Sequence, residues 1–322
     1  MTHIHVIHEN AAWLEPLAAA LDRQRLPWRD WFLDRGVFDL SRPPPEGIFY
    51  NRMSASSHTR NHRYAAELTA AVLAWLERHG RRVVNGSRAL DLEISKARQY
   101  AALEKTGIRT PDTVVVAGKE LLVEAARQRF AEGPFILKPN RGGKGLGVRL
   151  FHSPEALADH LESPDYEPPA DGLHLLQQHI RSPVPLITRA EFIGGRFMYA
   201  VEVDTSDGFE LCPADVCAAG DQPRPKFTII DAIDPALKRQ YENFLAANAI
   251  DVAGIEFITD PDGVRCTYDV NTNTNYNPDA EARAGRSGMD TLAQYLGTEL
   301  SSLRAQRSNL VPEIASSLRS SL

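Results

Sequence analysis

Residues 135–151 read FILKPNRGGKGLGVRLF. The apolar run from Phe135 predicts a strand ending on Lys138, and the chain then opens into a loop with four glycines and two cations between Asn140 and Gly147. Glycines let a backbone pass close to a ligand, and consecutive N–H groups beside positive charge suit phosphate oxygens. A lysine at the end of an apolar strand is costly unless an anion or carboxylate meets its ammonium. Two common nucleotide motifs are excluded by the residues themselves. Lys144 is followed by Gly145 where a Walker A loop needs Ser or Thr, and Val148 stands where a dinucleotide fingerprint needs its third glycine. Taken alone, the loop fits a hairpin turn as well as a phosphate grip.

A second informative stretch, residues 251–277, reads DVAGIEFITDPDGVRCTYDVNTNTNYN. It predicts two antiparallel strands, 252–258 and 264–270, joined by the turn Asp260-Pro261-Asp262-Gly263. Glu256 interrupts an apolar strand, and Asp269 and Asn271, two residues apart, share a face of its partner. Three oxygen-bearing side chains converging in a hairpin suit magnesium bridged to phosphates. Glu256 on a solvated face and a polar Asn-rich turn would look the same in isolation.

The rest of the chain is ordinary α/β material. The 322 residues carry 42 acidic and 36 basic side chains, a net charge of −6 that lends no support to nucleic-acid binding. Cys212, Cys217 and Cys266 match no disulfide framework or zinc spacing, which points to a reducing, cytoplasmic setting. The N-terminus has no signal-peptide pattern and no run of 18 apolar residues occurs, so no membrane association is expected. Strands at 3–8, 47–50 and 82–84 alternate with helices at 11–25 and 64–79, which predicts a small, mostly parallel sheet. Further on, a helix is expected over 92–105 and another over 119–129, with strands at 113–116, 173–177, 188–193 and 196–202 and a helix at 235–247. The Ser-rich residues from 298 read as a peripheral tail.

Together, the lysine-ended strand with its glycine loop and the later acidic strand pair ending in Asp-Val-Asn resemble the ATP-grasp superfamily, most closely its RimK-like carboxylate–amine ligases. The resemblance extends to ISKARQYAALEKTGIRTPDTVVV, LLQQHI and ITRAEFIGGRFMYAVEV, and covers residues 92–278. It implies an α/β chain in which a Rossmann-like domain (1–88) precedes a central ATP-grasp lobe (89–175), a C-terminal lobe (176–297) and the tail (298–322). It also implies roles for individual residues. Lys96 and Lys138 hold ATP phosphates, and Asn140, Gly142, Gly143, Lys144, Gly145 and Gly147 form a lid. Gln178, His179 and Ile180 line the adenine. Arg189 faces the transferring phosphoryl group, while Glu256, Asp269 and Asn271 hold one or two magnesium ions, with manganese as a substitute.

Four departures accompany the resemblance. Glu256 and Asp269 exchange the usual Asp and Glu, Gln178 replaces a typical Glu, HIRSPVPL lacks the usual acidic ribose contact, and TNTNYN replaces the usual Ser-Pro-Gly beside the substrate. The implied activity is amide formation from an amino acid or small carboxylic acid and an amine through an acyl phosphate. The same nucleotide site would serve a kinase acting on a hydroxyl, or a regulator without turnover. A homodimer is the oligomer such families offer. Among basic residues after the second strand, Arg52 is the candidate anchor for a substrate carboxylate, with Asn273 and Arg283 also on the substrate side. His3, His5 and His8 read as strand residues rather than a metal cluster.

Overall fold

The run His3–His8 forms β1, whose residues from Ile4 onward are buried because strands flank it on both sides. The computed structural model describes residues 2–206 and 225–319, with backbone alone for 307 and 309–319. Cys212 and Cys217 lie outside the described residues. After β1 come α1 (Ala11–Arg23), β2 (Trp28–Phe32), β3 (Gly47–Asn51), α2 (Ala65–Arg78) and β4 (Arg82–Val84). Asn10 caps α1 by accepting from the N–H of Trp13, an arrangement worth about 1 kcal/mol. The sheet order is β2-β1-β3-β4 with every pairing parallel, so the loops after β1 and β3 emerge at one edge. The edge strand β2 was not expected. Its sequence WRDWF lacks an apolar run because most of its side chains are exposed.

Where one helix was expected over 92–105 there are two, α3 (Ser87–Glu93) and α4 (Lys96–Lys105). Ser95 causes the break: it adopts an extended conformation and its hydroxyl caps α4 by accepting from the N–H of Arg98. Lys96 is therefore the first helical residue. The central lobe is an antiparallel sheet, order β5-β8-β6-β7, of β5 (Thr113–Ala117), β6 (Phe135–Pro139), β7 (Arg149–Phe151) and β8 (Leu173–Gln178). Helices α5 (Leu122–Phe130) and α6 (Pro154–Leu161) cover it with Leu122, Ala126 and Leu157.

The third sheet, order β11-β10-β9-β12-β13, comprises β9 (Leu186–Ile193), β10 (Arg196–Asp204), β11 (Phe227–Ile230), β12 (Val252–Thr259) and β13 (Arg265–Asn271). The helix α7 (Pro235–Ala247) buries Leu237, Tyr241, Phe244 and Leu245 against it. The chain ends in α8 (Pro278–Ala284) and α9 (Gly288–Arg319).

Residues from 298, expected as a peripheral tail, continue the helix α9. Leu292, Leu296 and Leu300 repeat at helical spacing and are buried in one core with Leu17 and Leu21 of α1. Thr298 and Ser301 donate to carbonyls four residues back, so these hydroxyls are satisfied within the helix. That core also holds Ile4, Ile48, Tyr199 and Val252, which ties the first sheet to the third. Among the described residues no helix is long and apolar enough to cross a membrane.

Candidate active site

Register across the third sheet assembles the site. Glu256 on β12 lies opposite Asp269 on one side and Arg189 on the other, making one rung of three charged side chains. Two residues away, on the same face, the next rung is Glu191, Gly254 and Asn271. A bulge follows, because Phe257 pairs with Thr267 rather than Tyr268. Tyr268 is thereby freed to hydrogen-bond Glu256 and line the cavity.

Arg189 is buried among acceptors. Its Nε donates to Glu191 (2.6 Å), Nη1 to Glu256 (2.8 Å) and Nη2 to Thr274 Oγ1 (2.7 Å). The Thr274 hydroxyl in turn donates to the second oxygen of Glu191 (2.8 Å). Burial alone would weaken the guanidinium as a base, but the carboxylates of Glu191 and Glu256 outweigh it and hold Arg189 charged. Burial in turn raises both carboxyls, against the pull of Arg189. Gly254 leaves room for this side chain: a Cβ there would meet the guanidinium at 2.5 Å.

Across the cavity, Lys138 at the end of β6 is 5% exposed and donates to the hydroxyl of Tyr100 (2.6 Å). Burial, reinforced by the like charge of Lys96, pulls its pKa down to about 7. Lys96 reaches the acidic wall from α4, with Nζ 2.5 Å from Asp269 Oδ1. The loop after β6 arches over these groups. Lys144, Gly145 and Gly147 have left-handed backbone, and Gly142 and Gly147 fold over the ring of Pro139, where a Cβ would come within 3.2 Å. At its tip the ammonium of Lys144 lies 5.1 Å from the centre of the Trp13 indole, and Arg60 lies 4.9 Å from that same ring.

These walls enclose a cavity of about 420 Å³. Of the expected residues, Lys96, Lys138, Gly142, Gly143, Lys144, Gly145, Gln178, His179, Ile180, Arg189, Glu256, Asp269, Asn271 and Asn273 line it. Four others do not. Asn140 is buried below the loop, where its side chain joins the N–H of Ala97 (2.9 Å) to Asp171 (2.6 Å), and Gly147 packs outside on Pro139. Arg283 is exposed on α8 and donates to the carbonyl of Phe227 (2.8 Å). Arg52 is a correction of a different kind. It is 2% exposed, and its donors end on Trp13, Asn273, Thr274 and Asn275 rather than in the cavity.

Residues that went unread in the sequence include Tyr100, Glu191, Gly254 and Tyr268. Glu191 alone had a visible signal, standing two places beyond Arg189 on a predicted strand and hence on its face. Glu256, Asp269 and Asn271 form a hard oxygen donor set suited to magnesium, and Asp269 already takes the ammonium of Lys96 as a cation. Asn271 donates to Glu256 Oε1 (3.3 Å), which keeps the two side chains together.

No family model matches the chain. A stretch of 206 residues, 64% of the chain, is 25% identical to beta-citrylglutamate synthase B of Homo sapiens, and equally to that of Mus musculus. The chain spans about half the length of these curated relatives, 50%. Among solved structures, the ATP-grasp ligase PsnB complexed with minimal precursor matches 92% of this chain and 99% of its own, with a TM-score of 0.65 and 18% identity. A RimK domain ATP-grasp protein from Sphaerobacter thermophilus matches 91% of this chain and 99% of its own, with a TM-score of 0.64 and 16% identity. At these identities the likeness is one of fold.

Proposed function

We propose that this chain, whose fold is that of the ATP-grasp ligases, joins a small carboxylic acid to an amine by way of an acyl phosphate. The observation that carries the reading is the facing pair of walls: Lys96 and Lys138 with the glycine loop on one side, and Arg189 with Glu256, Asp269 and Asn271 on the other. That is the complement of a polyphosphate meeting a second anion. Both reactants of the first step are negative, so charge must be neutralised before they approach.

In this reading the two lysines and the N–H groups of the loop bind the phosphates, and Gln178, His179 and Ile180 border the adenine. Glu256, Asp269 and Asn271 would hold magnesium, one or two ions, or manganese in its place, and the metal supplies charge neutralisation on the phosphates. Arg189 aligns the substrate carboxylate, whose oxygen attacks the γ-phosphorus as the bond to ADP breaks. The amine nitrogen then attacks the acyl carbon, phosphate leaves, and the nitrogen loses its proton to solvent. The loop excludes water, which would otherwise hydrolyse the intermediate. Both substrates are small molecules.

Incubation with ATP, magnesium and an acid and amino-acid panel, reading phosphate release and product mass, tests this. Phosphate release that needs an acid, and a hydroxamate when hydroxylamine replaces the amine, are the expected results. A phosphorylated product would instead establish a kinase, and nucleotide binding without turnover a regulator.

A further inference from the structure

Beyond Asp269 the chain runs along the cavity as Asn271-Thr272-Asn273-Thr274-Asn275-Tyr276 and alternates. Thr272, Thr274 and Tyr276 are buried, whereas Asn271, Asn273 and Asn275 border the cavity. The alternation of strand β13 thus continues past its end, carrying a row of polar side chains from the acidic wall toward Arg52.

An asparagine amide can offer a cavity either its oxygen or its NH2 group. Here the choice is removed. Arg52 Nε donates to Asn273 Oδ1 (3.2 Å), and Arg52 Nη2 donates to Asn275 Oδ1 (2.8 Å). Arginine has no acceptor, so the oxygen of each amide is turned to Arg52 and its NH2 group is turned away from it. The remaining bonds of Arg52 go to the carbonyls of Trp13 (3.0 Å) and Thr274 (3.2 Å). Among the described residues no carboxylate pairs with Arg52. A full positive charge therefore stands buried directly behind two amides whose dipoles carry its potential into the cavity. Of the carboxylates lining the cavity, Glu93 lies at this end; burial raises its carboxyl above the usual carboxylate range, and its oxygens accept from the N–H groups of Ala55 (3.3 Å) and Thr272 (2.6 Å) rather than pairing with Arg52.

We propose that Asn273 and Asn275 form a subsite for a second carboxylate of the acid substrate, one that is not activated, and that Arg52 is the positioning residue that turns their NH2 groups inward. The acid is then at least a dicarboxylate. The assignment of this anion to the substrate rests on the ligase reading; the subsite itself does not.

The test is calorimetric titration, with ADP and magnesium present, of the α,ω-dicarboxylates from malonate to adipate, each against its own monoamide. At least one diacid is expected to bind about tenfold more tightly than its monoamide. In the variant carrying both Asn273→Asp and Asn275→Asp, which presents negative oxygens in place of NH2 groups, that preference should vanish. Arg52→Lys keeps the charge but lacks the fork that fixes both amides, so it should reduce the preference while ADP affinity stays unchanged, a split that mere loss of folding would not produce. Equal binding of diacids and monoamides, no diacid binding at all, or a preference that survives in the double variant overturns the proposal. Diacid preference without hydroxamate formation would keep the subsite and sink the ligase reading. Hydroxamate formation without diacid preference would do the reverse.

Discussion

Arg189 and Glu191, two residues apart on one strand, are joined by a buried 2.6 Å hydrogen bond, and Glu191 returns through Thr274 to the same guanidinium. The closed circuit fixes the plane of a side chain that lines the cavity. Replacing Glu191 with Gln keeps the shape and removes the charge. Turnover should fall about 100-fold, the scale for disturbing one preorganised donor, with the KM for ATP little changed. Steady-state phosphate release at saturating ATP measures this, and an unaltered kcat would remove Glu191 from any positioning role.

Gly254 sits beneath that guanidinium, where a Cβ would approach it to 2.5 Å. Gly254→Ala should therefore displace Arg189 and cost activity on the same scale as Glu191→Gln, while the circular dichroism spectrum stays native. Combining the two substitutions should add little, since both act through one group. An additive double variant would show that Gly254 acts elsewhere.

Lys138 is held near pKa 7 by burial and by Lys96, against 10.5 for an ordinary lysine. At pH 8 the ligand-free protein thus keeps it mostly neutral, and arrival of a polyphosphate favours the charged form. Nucleotide binding at pH 8 should take up a proton, approaching one per site, and the uptake should fade below pH 6, where Lys138 is already charged. Titration calorimetry in buffers of differing ionisation heat reads this directly. Proton release at pH 8 would contradict it.

The loop glycines are not equivalent. Gly147 has a φ of +73° and lies against Pro139, whereas Gly143 has ordinary backbone and nothing closer than Ser56 at 3.7 Å. Gly147→Ala should raise the KM for ATP and increase phosphate release uncoupled from product, through a strain of about 1 kcal/mol or more. Gly143→Ala should be mild, and the reverse order would mean the loop closes differently.

Asn85, fully buried with a φ of +56°, donates to the carbonyls of Val252 and Thr272 (both 2.8 Å) and accepts from the N–H groups of Asp251 and Val252. It bolts the first sheet to the third. Asn85→Ala leaves those groups without partners and should destabilise the protein by about 3 kcal/mol in urea unfolding. A loss under about 1 kcal/mol would mean that water replaces the amide.

Most of the residues that line the cavity were legible because their signals are local. A lysine closing an apolar strand, glycines beside cations and an acid inside an apolar strand each violate a local expectation. Three-dimensional neighbours of those residues were less accessible. Tyr100 faces Lys138 from a helix whose rotation depends on where Ser95 begins it, and Tyr268 reaches Glu256 only through a bulge that no residue type announces.

The sequence by itself determined the chemistry: which strands carry Lys138, Glu256 and Asp269, and that a glycine loop follows one of them. Alternation and composition suffice for that, since each is read within a few residues. Tertiary structure decided the use of the remaining charges. Arg52 looked like a ligand for substrate and is instead a buried donor behind Asn273 and Asn275, because the turn after β3 meets the end of β13. Ser301 and Ser302 looked like the start of a tail and instead lie on α9, because Leu292, Leu296 and Leu300 find a core on α1. Whether a charge or an apolar face is buried depends on what arrives from far along the chain, and no short window of sequence contains that.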